Sequence, residues 1–114
     1  MKRNEIQERS YEFALRIIKL VLALPNNVAG RRLGDQLLRA GTSVGANVEE
    51  GIGGYSKNDF ANKMSIAYKE ARENNYWLRL IRDSDLMKVD RLQPIIEESE
   101  EIVKMLFSIV RSSK

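Results

Sequence analysis

Apolar and small residues recur through residues 31–54 at intervals of three and four. Leu33, Leu37, Gly41, Val44, Val48 and Ile52 form one row, and Ala40, Ser43 and Asn47 form the next. That is the period of a helix face. Gly34, Gly41 and Gly45 fall inside the same stretch, and each glycine costs roughly 1 kcal/mol relative to Ala in a helix interior. A register that persists through them predicts one continuous helix whose missing side chains let a neighbouring helix backbone come close. The alternative is a helix broken by a Gly-rich loop over 41–45.

The flanking segments carry the same period. Ile6, Phe13, Ile17, Leu20, Val21 and Leu24, widened by Ala14 and Ile18, predict a first helix from Asn4 to Leu24, with Glu5, Glu8 and Glu12 suiting its dipole and Pro25 stopping it. Gly51, Gly53 and Gly54 supply C-terminal capping for the second helix. Ser56 with Asp59 marks the start of a third, Lys57–Arg82, built on Phe60, Met64, Ala67, Tyr68, Ala71, Leu78 and Ile81. Tyr76 and Trp77 lie on adjacent ridges, and their rings suit either a subunit interface or the intrachain core. Asp90 is the expected cap of a fourth helix, with Pro94 in its first turn and fraying over Arg111 to Lys114. Its apolar face runs from Leu92 through Ile95, Ile96, Ile102, Val103, Leu106 and Ile109 to Val110. Short connections and no strand pattern predict an all-α, antiparallel up-down-up-down four-helix bundle, with residues 1–114 as one domain.

Composition narrows the chemistry. The chain has no cysteine and no histidine, so disulfides, thiolate metal sites and the commonest general base are excluded. Ser43 has no histidine to activate it, and GIGG at 51–54 follows no strand that would position a phosphate loop. Glu49, Glu50, Glu70 and Glu73 lack the Glu-x-x-His partners of a di-metal bundle and read as solvent-facing charges or capping partners. Glu70 near the core edge, together with Ser43 and Asn47, predicts a hydrogen-bonded cluster that fixes helix register. No cofactor, metal or catalytic role is expected. No apolar run approaches the ~18 residues of a membrane span. The opening MKRNEIQERSYEF leads into an amphipathic helix rather than a secretory signal, which implies a cytoplasmic location.

Net charge is only +3, yet the cations are grouped. Arg72 and Arg79 are seven residues apart and nearly aligned, Lys69 and Arg82 flank them, and Arg31, Arg32 and Arg39 form a second group. Such groups hold phosphates without reading bases; the same pattern also fits a solvated helix face.

The run LRAGTSVGANVEEGIGGYSKNDFANKMSIAYKEARENNYWL resembles the hallmark region of the small four-helix-bundle proteins related to those encoded in intervening sequences of bacterial 23S ribosomal RNA genes, sometimes labelled S23 ribosomal proteins. Arg39, Gly41, Ser43, Asn47, Glu50 and Gly51, then Phe60, Ala67 and Glu70, occupy the pattern's positions. The resemblance implies a ring-shaped homopentamer. It also brings in accessory proteins of diversity-generating retroelements, which bind a reverse transcriptase and nucleic acid through a pentameric barrel. The resulting expectation is a non-catalytic homo-oligomeric scaffold or adaptor with RNA or DNA as its partner. The alternative is an accessory subunit that binds another protein and has no affinity for nucleic acid.

Overall fold

The structure, a computed structural model, describes residues 3–113. Four helices account for nearly all of them: α1 (Arg3–Leu22), α2 (Val28–Ile52), α3 (Lys57–Asp83) and α4 (Val89–Ser112). Met1, Lys2 and Lys114 lie outside the described residues, so the fraying expected at the C-terminus is addressed only to Ser113. There the helix holds through Ser112, because the hydroxyls of Ser112 and Ser113 donate to the Ile109 carbonyl at 3.1 and 2.6 Å.

The central prediction holds: α2 is unbroken across Gly41 to Gly45. It starts three residues earlier than the apolar register suggested, because the Asn27 side chain accepts the Gly30 amide at 2.8 Å. Gly30 is needed there, since a Cβ would run into the Pro25 carbonyl oxygen. At Gly41 a Cβ would lie 2.9 Å from Ile17 of α1 and 3.0 Å from Asn74 of α3. At Gly45 it would lie 3.3 Å from the Ser10 carbonyl oxygen. None of the described glycines has a positive φ. The glycines of α2 therefore serve close approach of helices, not turning of the chain.

Cross-helix pairs establish the topology. Gly34 faces Val21 and Leu24 while Gly45 faces Ser10, so α1 and α2 are antiparallel. Gly41 meets Asn74 and Gly51 meets Met64, which gives the same sense to α2 and α3. Asn75 Nδ2 donates to Ser99 Oγ at 3.2 Å and the Tyr68 and Phe107 rings lie 5.9 Å apart, so α3 and α4 are antiparallel too. Arg9 of α1 closes the bundle on α4 with ion pairs to Glu98 (2.7 Å) and Glu101 (3.5 Å). The hydrogen bond from Arg9 to Glu98 raises the guanidinium pKa further, against the lowering effect of burial. The result is an up-down-up-down bundle of 44 × 20 × 19 Å.

The core runs the length of this rod. Phe13, Ile17, Leu37, Val44, Met64, Leu78, Ile96, Ile102 and Leu106 are each almost wholly removed from water. Asn74 is buried among them, and neither atom of its amide has a hydrogen-bond partner among the described residues.

Two further boundaries differ from expectation. Helix α1 ends at Leu22 rather than Leu24, because Ala23 and Leu24 turn their amides to carbonyls only three residues back. Lys88, not Asp90, is the N-cap of α4 and makes no side-chain cap bond. Asp90 sits inside the first turn, where its charge still favours the dipole. Pro94 consequently falls beyond that turn and forfeits the amide bond it would have given Asp90.

Helix α3 closes with Asp85 at φ 60°, its amide bonded to Arg82 and the Leu86 amide to Ile81. This is the Schellman arrangement, in which glycine is the usual occupant of the left-handed position. Asp85→Gly is expected to raise stability by roughly 0.5–1 kcal/mol by relieving the left-handed strain. Urea unfolding checks it; a lower midpoint would contradict the strain.

Candidate nucleic-acid interface

Ala67, Ala71, Leu78 and Ile81 turn one side of α3 into the core, which leaves Arg72, Tyr76 and Arg79 exposed along its outer side and Tyr68 half-buried at the core's edge. Their spacing of four, four and three residues stacks them on one stripe. The Arg72 guanidinium lies 5.8 Å from the centre of the Tyr68 ring, and that of Arg79 lies 5.8 Å from the Tyr76 ring. Both are within cation–π reach. The stripe thus alternates ring and cation, turn by turn.

Between this stripe and α4 lies an open groove of about 760 Å³. Lys69 and Asn75 join it from α3, and Glu100, Val103 and Lys104 from α4. Beneath it the Asn75–Ser99 hydrogen bond pins the two helices together. Phe107, about half exposed, stands beside Tyr68.

Lys69, Arg72, Arg79 and Lys104 are exposed, and none forms a salt bridge among the described residues. Arg79 keeps its position by donating from Nε to Asn75 Oδ1 at 2.9 Å. Of the two carboxylates in the groove wall, Glu73 is ion-paired to Arg39, which leaves Glu100 alone against four cations. Such a surface attracts anions, with a strength that salt will screen.

The family of 23S rRNA-intervening sequence proteins matches residues 2–108. The chain belongs to that family. A crystal structure from Bacteroides thetaiotaomicron, described as a protein of unknown function from the S23 ribosomal protein family, is similar at 39% identity. It covers 97% of this chain and 99% of its own, with a TM-score of 0.87. No curated protein matches the chain. Neither the family's description nor that of the solved structure names a catalytic activity.

The hallmark positions of this intervening-sequence protein gather along the α2/α3 seam rather than in the groove. Arg39 bridges to Glu70 at 3.1 Å, to Glu73, and to Gln36 on its own helix. Glu70 therefore takes Arg39 as its partner and does not join the cluster expected with Ser43 and Asn47. Asn47 instead donates to the Ser43 carbonyl at 2.8 Å and to its hydroxyl at 3.2 Å. Glu50 pairs with Lys63 at 2.8 Å. Gly51 admits Met64 and Lys63, Phe60 packs half-buried on the core, and Ala67 is fully buried. The motif holds α2 against α3.

The other candidate residues separate in the same way. Arg82 lies at the end of α3 and is held by Asp83 at 2.8 Å, a hydrogen bond that keeps the Asp83 carboxyl below its ordinary pKa. Arg31 and Arg32 are exposed on the first turns of α2, outside the groove, with Arg31 bonded to Asn26 at 3.1 Å. Trp77 packs against the core of its own chain and donates to Glu73 at 3.2 Å. Tyr76 stands edge-on to it with ring centres 5.1 Å apart and is about half exposed.

The apolar pattern alone does not single out Lys104 or Phe107; it places Tyr68 on the core side of α3, and Tyr68 does pack half-buried against the core while also lining the groove. The Tyr-Arg-Tyr-Arg alternation at helical spacing is the signal that points to Tyr68. Nothing local identifies the two residues of α4. Among the described residues no carboxylate cluster is arranged to hold a metal ion, and no helix is long and apolar enough to cross a membrane.

Proposed function

We propose that the protein is a non-catalytic, homo-oligomeric adaptor that holds nucleic acid in the α3/α4 groove. The observation that carries this reading is the set of four exposed, salt-bridge-free cations, Lys69, Arg72, Arg79 and Lys104, on one groove. Phosphates are bound by such groups through counterion release, without base readout. Arg31 and Arg32 add a positive field at longer range. A cytoplasmic location accords with such a partner.

Self-assembly is supported by the outer face of α1. Tyr11, Leu15, Ile18 and Leu22 follow one another at intervals of four, three and four, on the side away from Phe13 and Ile17, and Leu22 is 81% exposed. A row of this kind marks a contact surface. A pentamer is the assembly that the family resemblance favours, and a closed ring would repeat the groove around its axis. The same row also favours the second reading, an accessory subunit that binds a different protein and no nucleic acid.

Filter binding of RNA and DNA at two salt concentrations tests the first reading. With four phosphate contacts, a fourfold rise in salt should weaken binding roughly 50- to 150-fold. Absence of retention at the lower salt would overturn it in favour of the protein-binding reading. Light scattering should give a multiple of 13.1 kDa; a monomer would remove the assembly.

A further inference from the structure

We infer that the α3/α4 groove takes single-stranded nucleic acid, its bases stacked on Tyr76 and Phe107 and its phosphates held by Arg72, Arg79, Lys69 and Lys104. The inference rests on the nucleic-acid reading above and specifies its ligand.

Cations alone would serve any polyanion, and the rings are what narrow the choice. Tyr76 is 47% exposed and Phe107 48% exposed, on the two helices that flank the groove. In a duplex the base faces are closed against one another, so rings in the wall would find nothing to stack on. In a single strand every base offers a face, and aromatic platforms within a basic groove bind such strands with little regard to sequence. Each nucleotide brings one base and one phosphate, and the stripe presents ring and cation in the same alternation. Phe107 stands beside Tyr68, its ring centre 5.9 Å away, and Tyr68 and Tyr76 are about 12 Å apart along α3 at 1.5 Å per residue, so the two exposed rings lie about two helical turns apart with Arg72 between them.

A double helix would meet the cations with its phosphates and leave the rings idle, as would an acidic peptide with its carboxylates. Arg72 and Arg79, each beside a tyrosine ring, can contribute to both stacking and phosphate binding.

The experiment compares short oligothymidylate and oligouridylate with a duplex of equal charge, by fluorescence anisotropy at constant salt. Both single strands should bind at least ~10-fold more tightly than the duplex. Tyr76→Ala and Phe107→Ala should each lower single-strand affinity roughly 5- to 100-fold, with the duplex and the salt slope unchanged, and Tyr76→Phe should retain binding. Both rings are half exposed, so the variants are expected to fold, which thermal melting checks.

Equal affinity for single strand and duplex would overturn the inference while leaving phosphate binding in place. So would alanine variants that bind single strands as the parent does, or displacement by polyglutamate as effective as by oligothymidylate. A change of solution mass in Tyr76→Ala would make the groove a subunit contact and overturn it too. If no nucleic acid of either form binds at low salt, the proposed function itself fails.

Discussion

Gly41→Leu is expected to destabilise the bundle by about 3 kcal/mol, at the upper end of what overpacking a core costs. The first added atom would already sit 2.9 Å from Ile17 and 3.0 Å from Asn74, and three further carbons must go beyond it. Neither neighbour has room to retreat, since Ile17 and Asn74 are both fully buried. Gly41→Ala provides the internal scale. Helix propensity alone would stabilise the alanine variant by roughly 1 kcal/mol, and three contacts at or below 3.0 Å, two to Ile17 and one to Asn74, oppose that gain. Alanine should therefore change stability by less than about 1 kcal/mol, while leucine loses several-fold more. Denaturant unfolding of the two variants decides the point. Were position 41 open to solvent, both would stabilise the helix, and the close packing of α2 on α1 and α3 would be refuted.

The bundle was legible in the sequence because the apolar register persists where propensity argues against it. Leu33, Leu37, Val44 and Val48 hold their spacing across Gly34, Gly41 and Gly45, and only a continuous helix makes use of that. Helix ends were less legible, because a cap depends on one residue's backbone angles. Asn27 and Asp90 are both good cap residues, yet only Asn27 lies where its side chain reaches a free amide. The groove was half legible. Arg72 and Arg79 could be aligned from their spacing, whereas Lys104 and Phe107 come beside them only through the α3–α4 register. Ion pairing was not legible at all. Arg39 and Glu70 are 31 residues apart, and no pattern in the chain separates a cation with a partner from one without.

That separation is what makes charge removal decisive. The double variant Arg72→Gln/Arg79→Gln should halve the salt sensitivity of binding. If these two cations hold phosphates as proposed, the slope of log affinity against log salt falls by about 1.4–1.8 without them. A fourfold rise in salt should then weaken binding by only about 7- to 12-fold instead of 50- to 150-fold. Arg31→Gln/Arg32→Gln removes the same formal charge from outside the groove, and its effect on the slope should be less than about half as large. Arg39→Gln should behave differently again. It strands Glu70, whose side chain is only 13% exposed, so the loss appears in stability and the slope stays unchanged. If all three changes weakened binding in equal measure per charge removed, the protein would be attracting its ligand by diffuse net charge. A net charge of only +3 gives a weak field at physiological salt, so that outcome would count against the proposed groove, whereas a loss confined to Arg72 and Arg79 would support it.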